Sequence, residues 1–148
     1  MLTNANEAKL VGPPDDVAAV LRTIAAWDAA TRRGTTDDVL ALVTEDCVFM
    51  APGIPPMVGR ATLAPLLEGY AQLTLEPLFE LREVVVAGDW AFAWGRDELT
   101  AVPRGGGATR SAAGWAVTIL HRDGDNRWRF ARGINTKLEH PPVSGARD

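Results

Sequence analysis

The stretch Val17-Ala-Ala-Val-Leu-Arg-Thr-Ile-Ala-Ala-Trp-Asp-Ala-Ala-Thr31 decides how this chain begins to fold. Val17, Val20, Leu21, Ile24 and Trp27 recur at the three-and-four spacing of one apolar helical face. At about 100° per residue, Asp28 falls within roughly 45° of the centre of that stripe. A carboxylate directed at a core is costly unless it is paired, hydrogen-bonded or lines a wet cavity. Asp28 therefore points to an interior that is partly a pocket.

Working outward, Asp15 or Asp16 is placed to cap this helix, and Arg32-Arg33-Gly34 closes it with cations and a glycine exit. Residues 35–38 open a short second helix carrying Val39, Leu40, Leu42 and Val43, and residues 47–51 read as a short strand. A loop rich in Pro and Gly follows. A third helix holds Leu63, Leu66, Leu67 and Tyr70, and Pro65 is tolerable there if the helix starts near Thr62. From Leu78 the pattern changes to strands over 79–87, 90–102, 111–120 and 127–138. Turn signals separate them at Gly88-Asp89, 104–107 and Asp123-Gly124. No strand is expected before Val39. The order predicts an α+β fold, a curved antiparallel sheet wrapped around N-terminal helices. Val17, Leu21, Ile24, Leu40, Val43, Leu66, Leu67, Phe92 and Val117 are the expected core. The organisation expected is a flexible arm over 1–13, one domain over 14–138 and a disordered Pro-rich tail over 139–148.

The 148 residues suit one domain with a sizeable core, and 47% apolar with 23% charged residues is ordinary for a soluble globule. A net charge of −4 argues against a nucleic-acid partner. Cys47 is alone, which excludes an internal disulfide and a cysteine zinc site. No apolar run in 1–16 reads as a signal or membrane segment, so a cytoplasmic protein with no membrane partner is expected. Arg104-Gly-Gly-Gly107 lacks the ending of a phosphate loop, and Asp123-Gly-Asp-Asn126 lacks the spaced ligands of a calcium loop. No metal and no cofactor is expected. Arg127, Arg129 and Arg132 alternate with Trp128 and Phe130, which in an acidic chain reads as a solvated or dimer-facing strand.

Several pieces in order carry a family signature. They are Trp27 with Ala29-Ala30, Gly34, Asp46 before Cys47-Val48-Phe49, Pro52, Gly59-Arg60, Gly88-Asp89-Trp90-Ala91, and Asp123-Gly124 leading to Trp128. Together they resemble the SnoaL-like, ketosteroid-isomerase-like branch of the nuclear-transport-factor-2-like superfamily, over nearly the whole chain. The resemblance implies a cone-shaped sheet with a ligand pocket at its wide end and frequent dimerisation across the sheet. The isomerases of that superfamily place a carboxylate base before the loop Pro, where this chain has Ala51. They place a tyrosine on helix one, where Trp27 stands, and an acid on the third strand, where residues 111–120 hold none. Some of its dehydratases pair a helix-one Asp with histidines on the sheet, but the only histidines here are His121 and His140.

Matching residues 90–96 to the family's pocket strand puts Trp94, Arg96 and Glu98 on one inward parity, and implies that Asn135 points into the cone mouth. Asp28 and Arg96 are then the candidate catalytic pair. Trp27, Met50, Trp94, Glu98 and Asn135 are the candidate ligand-binding residues. Asp28 and Arg96 equally fit a buried structural ion pair. The functional readings are an acid/base isomerase, cyclase or dehydratase acting on an apolar, ring-bearing metabolite, or a binding protein with the same pocket and no turnover. A dimeric interaction module is a third reading, and turnover itself is left open. A homodimer through the outer sheet face is expected, because residues 90–99 and 111–120 are apolar on both parities.

Overall fold

The computed structural model describes residues 7–140 and the backbone of residues 2–3. Residues 141–148, the bulk of the expected disordered tail, lie outside the described residues. Helix α1 runs Pro14–Arg33, with Pro14 at its first position, Asp15 and Asp16 in the first turn, and Gly34 left-handed at its exit (φ 70°). No side chain caps it, so the acidic pair acts on the helix dipole and Asp16 also meets Arg122 at 2.8 Å. Helix α2 (Thr36–Leu40) is shorter than expected, because Val43 already belongs to strand β3 (Val43–Met50). Helix α3 runs Arg60–Gly69. It starts two residues before Thr62, so Pro65 sits in its second turn and leaves the exposed Ala61 carbonyl to water.

Three long strands, β5 (Leu73–Ala87), β6 (Trp90–Pro103) and β7 (Arg110–Arg122), form an antiparallel meander that continues into β8 (Trp128–Asn135), and the short β9 (Leu138–Glu139) pairs with β7 beyond the end of β8. The expected hairpin turns stand where the turn residues are. The 123–126 turn is held by Arg129, whose hydrogen bonds draw the Asp125 carboxyl from 3.8 down to about 2. Arg129 also donates to the Ala41 carbonyl at 3.2 Å, which ties the hairpin to the start of β3.

Two departures concern the sheet edges. Short strands β1 (Leu2–Thr3) and β2 (Lys9–Val11) precede the helices and pair in parallel with β5, and β3 pairs in parallel with β8. The sheet is therefore mixed, with an antiparallel centre, and part of the arm expected to be flexible is a strand. Leu10 and Val11 alternate with no strong period, so only the free edge of β5 makes a strand of them. Similarly, Leu138–Glu139 extends the ladder on β7, with the expected last strand interrupted after Asn135. A β4 stub (Met57–Val58) closes the far edge against β3. Bulges between Leu81 and Glu83 and opposite Ile119 and Leu120 bend the sheet around α1.

The core lies between α1 and the narrow end of the sheet. Val17, Val20 and Ile24 meet Leu81, Val84, Leu120, Trp128 and Phe130, all buried. Leu21, Leu40 and Leu67 pack against this core half-buried. Leu66, Phe92 and Val117, expected inside, are exposed. For Phe92 and Val117 the reason is one of parity. On β6, Ala91, Ala93 and Gly95 are buried while Trp90, Phe92 and Trp94 are exposed, and on β7 Leu120 is buried while Val117 and Ile119 are exposed. On β6 the small residues face α1 and the large ones face away, while on β7 Leu120 joins the inner side.

Candidate functional site

At the wide end, where α1 no longer fills the sheet, a cavity of about 440 Å³ opens between α1, α2, α3 and the inner faces of β5 to β8. It exists because the sheet offers little side-chain volume there. Ala112, Ala116 and Gly133 line it, and Gly133 accommodates the ring of Phe49, which a Cβ would meet at 2.7 Å. Phe49 stacks on Trp27 at 6.0 Å, and Trp27 meets Phe130 edge-on at 5.0 Å. These rings make an aromatic wall where α1 crosses β3 and β8. Leu63, Leu67, Leu75 and Pro77 complete a largely apolar lining, to which Tyr70 adds a phenol pushed up in pKa by burial.

Asp97, Glu98 and Lys137 are the charged residues that line this cavity, and two of them, Asp97 and Lys137, pair with each other. Asp97 faces Gly114 across β6 and β7. On the other side of β7, Asn135 faces Ala116 and Leu138 faces Ala113, so Lys137 falls beside Gly114 as well. The two side chains flank a residue with none and meet over it, Lys137 Nζ donating to Asp97 Oδ2 at 2.5 Å. Each is only about one-fifth exposed (19% and 20%). Asn135 Oδ1 accepts the Lys137 backbone N–H at 3.0 Å and fixes where the lysine leaves the chain. A Cβ on Gly114 would lie 2.6 Å from the Thr136 carbonyl oxygen, so this close crossing requires glycine at 114.

The structure therefore redistributes the candidate residues. Trp27, Met50, Glu98 and Asn135 line the cavity. Trp94 and Arg96 do not: they share the outward parity of β6, where the Trp94 indole donates to Glu83 at 2.9 Å and Arg96 reaches Glu98 at 3.8 Å. Asp28 is four-fifths buried, as the helical phase requires, but it is held by Arg32 one turn along α1 at 3.0 Å and does not line the cavity. A partner within the same helix forms locally, whereas Arg96 is on the far side of the sheet. The Asp28–Arg96 pair is thus replaced by Asp28–Arg32 and Arg96–Glu98. Asp97 and Lys137 were missed because matching residues 90–96 to the family's pocket strand set Trp94, Arg96 and Glu98 on the inward parity. Taking the small residues as the inner face would have turned Asp97 inward. Lys137 follows from Asn135 by one more step of two. Cys47 is buried, and desolvation pushes its thiol pKa up, which suits a core residue. Among the described residues, no group of acidic, His or Cys side chains is arranged to hold a metal, and no helix is long and apolar enough to cross a membrane.

The model of the SnoaL-like domain matches residues 20–132. The chain belongs to the SnoaL-like domain family. Solved structures agree with this. A conserved protein from Planctomyces limnophilus is 28% identical, with a TM-score of 0.81 over 86% of this chain and 100% of that one. A ketosteroid isomerase-like protein from Erwinia carotovora atroseptica is 28% identical, with a TM-score of 0.73 over 84% of this chain and 96% of that one. A nuclear transport factor 2-like protein from Salmonella enterica serovar Typhimurium shares the fold at 14% identity, with a TM-score of 0.69 over 87% of this chain and 94% of that one. Among curated proteins, none matches the chain. The SnoaL-like fold of this chain is α+β, with its helices in the concave side of a curved, unclosed, mixed sheet.

Proposed function

We propose that this SnoaL-like protein binds a largely apolar, ring-bearing small metabolite in the cavity and moves a proton on it with Asp97 and Lys137. The observation that carries this reading is the Asp97–Lys137 ion pair set in a largely apolar cavity. An ionised carboxylate accepts a proton from a carbon next to a carbonyl, and the ammonium, with two further N–H groups, stabilises the negative charge growing on the carbonyl oxygen. Return of the proton to another carbon is an isomerisation; collapse of the enolate with cleavage of the C–O bond at the adjacent carbon, the proton held by Asp97 going to the departing oxygen as water forms, is a dehydration. The isomerase-like name of the Erwinia neighbour is consistent with this class. Binding without turnover is the second reading, and the absence of an acid at Ala51 and on β7 favours it.

Exchange of the α-protons of 2-tetralone in D2O, followed by NMR, tests the proposal. Wild type is expected to accelerate exchange over buffer. Asp97→Asn is expected to lose about 10²- to 10⁴-fold of that acceleration while binding 2-naphthol within a few-fold of wild type. Exchange at the buffer rate with 2-naphthol still bound would leave the binding reading alone standing.

We also propose a homodimer through the outer face of the sheet. Trp90, Phe92, Trp94, Trp115, Val117 and Ile119 are each more than a third exposed there, and the cross-strand pairs Phe92–Ile119 and Trp94–Val117 join them into one apolar patch. Trp94 and Trp115 lie 6.1 Å apart, and Arg82 covers the far side of Trp115 at 5.6 Å. This gives the face a hydrophobic centre and a charged rim, as in an interface core.

A further inference from the structure

Thr118 lies on the inner face of β7, between Ala93 of β6 and Gly133 of β8, and lines the cavity. Its Oγ1 is shielded from solvent and has no hydrogen-bond partner. Buried hydroxyls in folded proteins are satisfied as a rule, and one left unmade is a cost that a neutral core position has no reason to carry. The surroundings supply no side-chain partner: Ala93, Ala116 and Gly133 have no polar side-chain atom, and the ring of Phe49 covers Gly133. Valine would fill the same volume without an orphan oxygen. Thr118 is also four residues along β7 from Gly114, over which Asp97 and Lys137 meet. That separation is roughly 13 Å of strand, the length of a small fused-ring molecule.

We infer that Thr118 is the inner polar anchor of the cavity. It hydrogen-bonds a hydroxyl or carbonyl oxygen at the far end of an elongated apolar ligand whose other end reaches Asp97 and Lys137. The inference rests on the cavity reading proposed above. Oγ1 is shielded where it stands, and a neighbouring staggered rotamer, 120° away about Cα–Cβ, puts the hydroxyl where the methyl was and the methyl where the hydrogen was, so the oxygen changes direction without backbone movement. A hydroxyl both donates and accepts, so it selects for oxygen at that end of the ligand and not for one oxidation level. The unmet hydrogen bond is then a departure from the best-packed sequence of the kind functional sites carry.

2-Naphthol and 2-methylnaphthalene are near-isosteric and differ in that one oxygen, so titrating both into wild type, Thr118→Val and Thr118→Ser tests the anchor. Wild type is expected to bind 2-naphthol about three- to tenfold more tightly, the effect of one neutral hydrogen bond. Thr118→Val is expected to abolish that preference, keep the affinity for 2-methylnaphthalene within twofold and raise the Tm; Thr118→Ser keeps the preference. A preference that survives in Thr118→Val, or a Tm that falls in it, would overturn the role of Thr118 and leave the cavity reading standing. If neither compound binds wild type up to its solubility limit, the cavity reading fails and the anchor with it.

Discussion

The two faces of β6 and β7 belong to the same residues in alternation, yet they are built to opposite rules. The inner face is Ala91, Ala93, Gly95, Ala112, Gly114 and Ala116, with Asp97 and Thr118 as its polar insertions. The outer face is Trp90, Phe92, Trp94, Trp115, Val117 and Ile119. In most half-exposed sheets the large apolar residues face the core and the polar ones face water. Here the inner face stays small, because a helix must lie on it at one end and a cavity must remain at the other. Apart from Leu120, which seals the core, the large apolar side chains at this level of β6 and β7 face outward. The inner face stands to lose from added volume, and the outer face from added charge.

That contrast can be broken from the outer side first. Val117→Glu places a carboxylate at the middle of the aromatic patch in both copies of a dimer. An uncompensated buried charge costs about 3–5 kcal/mol, more than a factor of a hundred in association. The expected outcome by sedimentation at micromolar concentration is a monomer with an unchanged far-ultraviolet spectrum. If Val117→Glu leaves the mass unchanged, or wild type is already monomeric, the outer face has some other purpose.

On the inner side, Gly114→Ala adds a single methyl group where a Cβ would sit 2.6 Å from the Thr136 carbonyl. The neighbour is backbone and cannot swing aside, so the strand carrying Lys137 must shift. Overpacking of this kind costs about 1–3 kcal/mol. Thermal unfolding should show a Tm lower by several degrees, together with a loss of 2-tetralone exchange that tracks the separation of Lys137 from Asp97. Gly114 has no positive φ, so a variant with an unchanged Tm would mean that the crossing has more room than the distances indicate.

The smallest effect is expected at Arg96. It is about a third exposed on the outer face and reaches Glu98 at only 3.8 Å. Exposed pairs of this kind contribute about 0–1 kcal/mol. Arg96→Ala should leave Tm within a degree or two and exchange unchanged. A large loss of exchange in Arg96→Ala, with Asp97→Asn unaffected, would return the site to the pair that the sequence alone suggested.

Much of the frame was legible in one dimension because its signals are local. The apolar stripe of Val17, Val20 and Ile24, the Gly34 exit and the hairpin turns at 88–89, 104–107 and 123–126 depend on residues within a few positions of each other. Aromatic and small residues in strict alternation also identified β6 as a strand. They did not say which set faces in, because both sets are apolar and an alternation of large with small has no polar side to mark the solvent. Matching the stretch to the family's pocket strand carried Trp94, Arg96 and Glu98 inward and left Asp97 out. The burial of Asp28 was likewise legible from helical phase, and its partner was not.

What the sequence determined by itself is the order of elements, the depth of Asp28 and the supply of small residues from which a cavity is made. Tertiary structure alone decided the parity of β6, the parallel edges formed by β2 and β3, and the meeting of Asp97 with Lys137. The first depends on the volume α1 leaves beneath the sheet, and the second on which strand edges remain open. The third joins residues forty positions apart through the register of three strands across Gly114, and no local propensity encodes that register.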